Sequence, residues 1–313
     1  MQVEGIRDMD KNLNNDMRIH YITLISSQVE ARQVKLLIES LRKFGGRLGD
    51  FPVWIFFTDM KFSESFSDYG EIKLFQLEME PVFRQFPLAD KVLACAKAEE
   101  MAALADVQTL VWLNPDCLIF NPPGLFMLGE QYDAAFRPVH IRNVGSLASE
   151  PLDGYWQSIY QVVKVDNVPY TVESFVDAQT IRPYLNTHCF SINPAKGILQ
   201  AWRAYFSTLL LDKDFQDKFC KDALHQIFLH QVVLSELVMK LIEQKRIMWL
   251  PTEYSYPLHL QEKLPVSKRV QSLNNLVCMV YEEESLLDAM GIQEPVLTWL
   301  KSIRNDKLSE TLQ

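Results

Sequence analysis

An asparagine and an aspartate stand two positions apart directly after a short apolar run. The run Thr109–Leu113 is followed at once by Asn114-Pro115-Asp116. Side chains at the C-terminal end of a strand face the crevice in which α/β sheets hold ligands, and amide and carboxylate oxygens suit Mg²⁺, Mn²⁺ or a ribose. The same tripeptide is a common turn signal. It therefore predicts either a cation or ribose site at Asn114 and Asp116, or an ordinary turn.

Several familiar catalytic signatures are absent. The sequence has no G-x-G-x-x-G after its first apolar run, no G-x-x-x-x-G-K-[ST] and no G-x-S-x-G, which argues against ordinary Rossmann dehydrogenases, P-loop kinases and α/β-hydrolases. The 6 histidines show no H-x-x-x-H or H-E-x-x-H spacing. The 5 cysteines form no C-x-x-C pair, and their odd number and wide spacing favour a reducing cytoplasm.

Composition excludes several classes of protein. Of the 313 residues, 48% are hydrophobic and 23% are charged, which is typical of globular chains and too apolar for a disordered one. The formal charge of -9 argues against nucleic acid as a partner. The polar stretch Met1–Arg18 has no apolar signal segment, and no run is long enough to span a membrane. These features predict a cytoplasmic protein without a membrane span.

Apolar runs predict the elements that must position Asn114 and Asp116. In the first half, strands alternate with helices, which predicts a parallel sheet with right-handed crossovers; the second half is more mixed. Strands are predicted at Ile19–Ile25, Val53–Phe57, Ile72–Leu77, Thr109–Leu113, Asp133–Arg137, Thr187–Ile192, Ile247–Leu250 and Leu276–Tyr281. Helices are predicted at Val29–Lys43, Leu88–Ala105, Asp153–Val163, Ala195–Leu211, Lys221–Glu243 and Glu294–Ile303.

The predicted fold class is α/β, with a mixed, mostly parallel central sheet flanked by helices. We expect a polar N-terminal tail over residues 1–17, one α/β domain over 18–285, and a C-terminal helical extension over 286–313. In the extension, the helical spacing of Leu297, Trp299, Leu300 and Ile303 predicts core packing rather than a membrane or partner surface.

An ordered set of segments resembles the nucleotide-diphospho-sugar transferases of the GT-A fold. In that family a helix bearing a Lys or Arg precedes a hydrophobic strand that ends in a metal-binding D-x-D motif, and an F-N-A-G-like turn, an Asp-Gln pair and an L-P-x-x-Y-N-Y-P segment follow. The matching segments here are Phe86–Ala94 with Glu99-Glu100, Thr109–Ile119, Tyr184–Pro194, His230-Gln231 and Trp249–Pro257. The resemblance covers roughly residues 19–281. It implies that the domain has a nucleotide-binding half over about 18–120 and an acceptor half over about 130–285.

The chain departs from this family's pattern at chemically important positions. Asn114 replaces the first Asp of D-x-D, Thr187-His188 replaces Ala-Gly of the sugar-binding turn, His230 replaces the Asp before Gln231, and Tyr281 stands at the place of a late metal-binding His. Loss of one carboxylate should weaken Mn²⁺ binding. The requirement for a metal is therefore left open.

The resemblance implies a glycosyltransferase that moves a sugar from a nucleotide-diphospho-sugar, most simply a UDP-sugar, to an unidentified acceptor. On this interpretation Mn²⁺ or Mg²⁺ would bind at Asp116, which holds the cation or the ribose, Asn114 assists, and Lys91 neutralises phosphate. The resemblance also places Asn186 and Gln231 among the donor-binding residues. Charge stabilisation on the leaving group would be the main catalytic effect.

The histidines leave alternatives open. His188 and His230 could act as base, sugar contact or metal ligand, with Asp116 even completing a replacement metal site, or they could be hydrogen-bonded and chemically idle. Lys268-Arg269 could supply the positive charge of the absent late His, or lie on a solvated loop. The stretch from Arg137 to Ser146 is either a sugar-binding loop or a plain surface connection.

Three functions therefore compete. The first is an active GT-A-like transferase. The second is a catalytically degenerate member of the same fold that binds a nucleotide or sugar and serves as a binding or assembly module. The third is an unrelated α/β enzyme, and it survives only if no nucleotide binds. The oligomeric state has no signal in the sequence.

Overall fold

Seven strands form the central sheet of the protein. The structure, a computed structural model, describes residues 18–66, 69–166, 168, 170–282 and 291–310. The predicted tail over 1–17 lies outside the described residues, as do residues 286–290 and 311–313 of the predicted extension. The sheet strands are β1 (Ile19–Ile25), β2 (Val53–Phe57), β3 (Ile72–Gln76), β4 (Thr109–Leu113), β6 (Ala134–Phe136), β9 (Cys189–Ile192) and β10 (Ile247–Trp249).

The sheet is mixed and mostly parallel, as predicted. Its strand order is β10-β6-β9-β4-β1-β2-β3. Strand β1 pairs in parallel with both β2 and β4, β2 with β3, and β10 with β6. Only β9 runs antiparallel to its two sheet neighbours, β4 and β6. The α/β fold class with a central sheet flanked by helices is therefore confirmed.

Short strands and helices complete the description. Outside the central sheet lie β5 (Cys117–Ile119), β7 (Val172–Glu173), β8 (Thr180–Ile181), β11 (Tyr256–Pro257) and β12 (Cys278–Val280). The helices are α1 (Gln28–Phe44), α2 (Ala89–Leu104), α3 (Gly154–Val163), α4 (Ile198–Leu211), α5 (Lys213–Phe219), α6 (Ala223–Leu241) and α7 (Val296–Glu310).

Side chains alternate between the two faces of the sheet and build two layers of core. Along β1, Ile22 and Leu24 pack with the helices α2, α3, α4 and α6 on one face. Tyr21 and Ile25 pack with α1 on the other face. Helix α1 begins at Ser27, whose side chain accepts a hydrogen bond from the backbone N–H of Glu30.

A third apolar cluster packs the C-terminal helix α7 against the small sheet β11-β12-β5. Trp299 on α7 is buried and makes edge contacts with Phe44 and Phe120, with ring centroids 5.5 and 6.2 Å apart. The prediction that this helix packs on the core is therefore confirmed. No helix within the described ranges is long and apolar enough to cross a membrane.

Some predicted boundaries were wrong for local reasons. The predicted strand Thr187–Ile192 begins only at Cys189, because Asn186 Oδ1 accepts a hydrogen bond from the backbone N–H of His188 and holds a turn there. The last predicted strand shortens to Cys278–Val280, and the helix predicted over Ala195–Leu211 starts at Ile198 after a 3₁₀ turn.

Candidate functional site

The sheet has its topological switch point between β1 and β4. From β1 the chain adds β2 and β3 on one side, and β4 starts the other side. In open α/β sheets the crevice for ligands lies beyond the carboxyl ends of the strands at this point. Asn114 directly follows β4. A cavity of about 540 Å³ opens there. It is lined by all of the predicted site residues except Asp116, namely Lys91, Asn114, Asn186, His188, His230 and Gln231.

The side chain of Asn114 is oriented by two groups that can only donate. Its Oδ1 accepts a hydrogen bond from Lys91 Nζ at 3.0 Å and another from Trp112 Nε1 at 3.1 Å. An ammonium and an indole N–H have no lone pair to offer, so the amide oxygen must face them. The amide Nδ2 therefore points the other way, and it makes no hydrogen bond with any residue that the structure describes.

Lys91 places a buried positive charge at the cavity wall. The residue is only 3% exposed. Its Nζ donates to the backbone oxygen of Thr187 at 2.6 Å as well as to Asn114, and it lies 4.9 Å from the centre of the Trp112 ring. Burial lowers the pKa of Lys91 to about 8, so the ammonium form persists at neutral pH. Within the described ranges Lys91 forms no salt bridge, so its charge has no direct counter-ion.

Asp116 lies at a second cavity next to the first. This cavity, of about 290 Å³, is lined by Glu30, Gln33, Asp116, Tyr281 and Glu282, and it shares Asn114 with the larger one. Oδ1 of Asp116 is buried and accepts no hydrogen bond from any described residue. The backbone N–H of Tyr281 donates to the backbone oxygen of Asp116 at 3.1 Å, so Tyr281 does lie beside this motif.

The residues present do not fit the divalent cation that the family resemblance implies. Both lone pairs of Asn114 Oδ1 are taken by donors, and one of those donors is itself a cation. No three His, Cys, Asp or Glu side chains in the described part of the chain are grouped so that they could hold a metal ion. The replacement metal site considered for Asp116, His188 and His230 is accordingly not formed.

Asn186 is a buried connector between two histidines and the backbone. Its Oδ1 accepts hydrogen bonds from the backbone N–H of His188 at 2.9 Å and from Ser255 Oγ at 3.1 Å. His140 Nε2 lies 2.6 Å from the backbone oxygen of Ser255, to which it donates. The predicted donor-binding role of Asn186 stays a prediction, and its contacts show that it holds the turn before β9.

His188 presents one free ring nitrogen to the cavity. Its Nδ1 lies 3.2 Å from Asn186 Oδ1 and donates to it, so Nε2 carries a lone pair. The ring stacks on His140 with centroids 5.5 Å apart. Burial lowers the pKa of His188 to about 4, so the ring is neutral at physiological pH. A neutral imidazole of this kind suits a hydrogen bond from a sugar hydroxyl better than proton abstraction.

His230 is held by its Nδ1, which donates to the backbone oxygen of Ile227 at 2.7 Å. Its Nε2 lies 3.2 Å from Thr187 Oγ1. The hydroxyl of Thr187 donates to Gln231 Oε1 at 3.1 Å, and its single proton can serve only one of these two acceptors at a time. Burial holds the pKa of His230 well below its ordinary value. His230 and Gln231 therefore hold Thr187, whose backbone oxygen in turn accepts from Lys91.

The structure corrects one interpretation of Lys268-Arg269 and one interpretation of the stretch from Arg137 to Ser146. Lys268 Nζ lies 3.3 Å from Glu173 Oε1, and Arg269 donates to backbone oxygens of its own loop. Neither residue lines either cavity. The surface-connection interpretation of the stretch from Arg137 to Ser146 is also wrong, because Arg137 is buried and donates to the backbone oxygens of Tyr254 and Ser255.

Sequence reasoning missed several residues of the site. His259 lines the larger cavity, Glu30 lines the smaller one, and Glu282 lines both. His140 and Asn143, which lie in the stretch considered as a sugar-binding loop, also line the larger cavity. No spacing motif links them, since they come from distant loops and from the first turn of α1. A further cavity of about 750 Å³, lined by residues such as Arg42 and Trp299, contains none of the predicted site residues.

The two cavities offer opposite chemistry. At the larger one, Lys91 and the Asn114 amide provide donors, which suit an anion such as phosphate. At the smaller one, Asp116 and Glu30 provide carboxylate acceptors, which suit hydroxyl groups, and Glu282 lines both cavities. Asn114 lies between the two. No protein-family model matches the chain, and no curated protein matches it at a significant level of similarity.

Proposed function

We propose that this protein is a GT-A-like glycosyltransferase that moves a sugar from a nucleotide-diphospho-sugar, most simply a UDP-sugar, to an acceptor. One observation carries the proposal: a cavity with cationic and amide donors adjoins a cavity with carboxylate acceptors at the switch point of the sheet. A nucleotide sugar has the matching order of groups, with a diphosphate between a ribose and a hexose, both rich in hydroxyls.

The proposed pose assigns each part of the donor to named residues. The diphosphate lies against Lys91 and the Nδ2 of Asn114. The ribose hydroxyls donate to the carboxylate of Asp116, which lines the smaller cavity. The hexose lies deeper in the larger cavity, near His188 and Asn186. The acceptor enters over Asn143 and Phe228, which line the same cavity.

The transfer follows from this arrangement. An acceptor hydroxyl oxygen attacks the anomeric carbon, the bond from that carbon to the diphosphate oxygen breaks, and the electron pair leaves with the nucleoside diphosphate. Lys91 stabilises the charge that develops on the leaving oxygen. The acceptor proton passes to a carboxylate, for which Glu282 is our candidate because it lines both cavities.

A degenerate binding module of the same fold is the second candidate. The observation that favours it is the burial of His230, whose Nδ1 donates to the backbone oxygen of Ile227, which gives that residue a structural role. Both candidates bind the donor, and only the first turns it over. Turnover therefore separates them.

The test is calorimetric titration of the full chain with UDP, UDP-glucose, UDP-galactose and a GDP-sugar, with and without Mn²⁺. We expect a UDP-sugar to bind and Asp116→Ala to weaken its binding, whereas Asp217→Ala at an exposed position of α5 leaves it unchanged. Release of UDP from the bound donor, with water or a panel of sugars as acceptor, then measures turnover. Binding without turnover supports the module, and no binding by any of the nucleotides contradicts both candidates.

A further inference from the structure

The wall of the larger cavity next to β4 carries hydrogen-bond donors and a positive charge where a cation site would need oxygen ligands. Lys91 Nζ has three protons, and two of them go to Asn114 Oδ1 and the backbone oxygen of Thr187. The third proton has no acceptor among the described residues. Asp116 and Asp90 act on this ammonium only at longer range than an ion pair. A buried ammonium without a carboxylate in contact is costly, and an anionic ligand in contact would lower that cost.

The orientation of Asn114 reinforces this conclusion. The oxygen that could ligate a cation is held by Lys91 and Trp112, and the Nδ2 group, which can only donate, is turned away from them. A divalent cation in contact with Asn114 Oδ1 would also lie within a few Å of the Lys91 ammonium and be repelled by it. Asn114 in this setting selects against a cation and in favour of phosphate oxygens.

The aromatic ring of Trp112 works in the same direction. It closes one side of the ammonium. Lys91 is thereby fixed in position rather than free to move as a surface lysine would.

We propose that this site binds the diphosphate of its nucleotide ligand without a divalent cation, with the Lys91 ammonium supplying the positive charge and Asn114 acting as the positioning residue that orients it. This inference rests on the proposed function and deepens it. Asp116 is then a partner of the ribose and not a metal ligand. Asn114 therefore suits a site whose positive charge is the Lys91 ammonium. An asparagine in place of an aspartate here does not mean that nucleotide binding is lost.

The experiment is calorimetric titration of the full chain with UDP, and in parallel with GDP, first in EDTA and then in Mn²⁺. We expect the same affinity in both conditions. Direct titration of the nucleotide-free protein with Mn²⁺, followed by electron paramagnetic resonance, should show no bound ion. An affinity that rises tenfold or more with Mn²⁺ would overturn the inference and leave the proposed function standing.

Variants test the role of each residue. Lys91→Met should lower nucleotide affinity in EDTA by about tenfold or more, because a charge-assisted hydrogen bond contributes about 1.5–3 kcal/mol. Lys97→Met on the exposed face of the same helix is the matched control. Asn114→Asp places a counter-ion on the ammonium and should also lower affinity in EDTA, whereas Asn275→Asp at an exposed position should not.

Each further outcome has a defined meaning. Circular dichroism and thermal unfolding show whether a variant has folded, and Asn114→Asp remains informative if Lys91→Met does not fold. Unchanged nucleotide affinity in a folded Lys91→Met or Asn114→Asp protein would overturn the inference. If neither UDP nor GDP binds in EDTA or in Mn²⁺, the proposed function fails and the inference fails with it.

Discussion

Lys91 on α2 and Asn114 at the end of β4 are joined by a hydrogen bond of 3.0 Å between Nζ and Oδ1. This bond links α2 to β4 through the ammonium group of Lys91. The same ammonium also donates to the backbone oxygen of Thr187, which lies in the turn before β9. The geometry at the switch point thus depends on three segments that are far apart in the chain.

The first prediction concerns the pH dependence of nucleotide binding. Because burial lowers the pKa of Lys91 to about 8, the ammonium is present below that pH and is lost above it. We expect UDP affinity in EDTA to be constant from about pH 7 to about pH 8 and then to fall, approaching tenfold per pH unit. Calorimetry at constant ionic strength measures this profile.

The control for this profile is the replacement of the titrating group. Lys91→Met should bind weakly at every pH and show no fall above pH 8, whereas Lys97→Met should reproduce the profile of the unaltered protein. A fall of equal size in Lys91→Met would show that another group titrates. Working above about pH 7 avoids the second ionisation of the nucleotide phosphate near pH 6.

The second prediction separates the two histidines. His230→Leu should lower the free energy of unfolding by about 1–3 kcal/mol, because Thr187 and the backbone oxygen of Ile227 lose a partner. His188→Ala should instead lower the affinity for UDP-glucose about two- to tenfold relative to UDP, as expected for one neutral hydrogen bond to the sugar. Equal losses of UDP and UDP-glucose affinity in His188→Ala would contradict the proposed pose.

The third prediction concerns a cap supplied by a distant helix. Glu99 on α2 is buried, and its carboxylate accepts hydrogen bonds from the backbone N–H groups of Leu199 at 3.1 Å and Gln200 at 2.7 Å. These groups belong to the first turn of α4, whose own N-cap, Gly197, provides no side chain. Removing the carboxylate should therefore destabilise the contact between the two helices.

Urea unfolding measures this effect with a neighbouring control. Glu99→Ala should lower the free energy of unfolding by about 1–3 kcal/mol. Glu100→Ala removes an adjacent carboxylate that is 55% exposed and paired with Lys97, and should change it by less than about 0.5 kcal/mol. Similar values for the two variants would argue against the capping role.

The fourth prediction is a pH dependence of stability. Glu236 on α6 is fully buried, and neither carboxyl oxygen makes a hydrogen bond of normal geometry with a described residue. Burial raises its pKa to about 8, although the nearby Tyr160 hydroxyl acts in the opposite direction. The carboxyl is therefore protonated in the folded protein at neutral pH, while the unfolded chain has released that proton above about pH 4.

The sign follows from linkage. A folded-state pKa above the unfolded value gives stability that is complete below about pH 4 and is lost as the pH rises to about 8, at about 1.4 kcal/mol per pH unit for this group. Glu236→Gln should remove that slope from urea unfolding curves recorded between these limits. Glu262→Gln, at an exposed position, should retain it. An unchanged slope in Glu236→Gln would contradict the prediction.

The elements of the first half could be predicted from the sequence because each is marked locally. Strand β1 is a mostly apolar, β-branched run, and α1 begins after a serine cap and ends near Gly45. Helix α5 was missed because its charged sequence buries only Phe215. The three-residue strand β5 directly follows the Asn-Pro-Asp turn, and β7 and β8 have two residues each. These strands are too short for an alternation of apolar and polar residues to be recognised.

The site could be predicted only in part. Asn114 and Asp116 stand at the end of a recognisable strand, so their place at the crevice follows from the fold class. The orientation of Asn114 depends on Lys91 and Trp112 together, and no spacing pattern describes such a contact. His140 lies at the cavity in a buried loop. A loop has no regular pattern of apolar residues, so the sequence could not show that this side chain is buried.

Assembly of the central sheet depends on strand pairings between distant parts of the chain. Strand β9 pairs with β4 across residues 114–188, β1 pairs with β4 across residues 26–108, and β10 pairs with β6 across residues 137–246. Non-local pairing of this kind requires a large loop closure and is intrinsically slow. Residues 186–188 directly precede β9 and Asn114 directly follows β4, so the wall of the larger cavity around Lys91 forms only when β9 has paired with β4. Appearance of this cavity during refolding would thus report that one pairing.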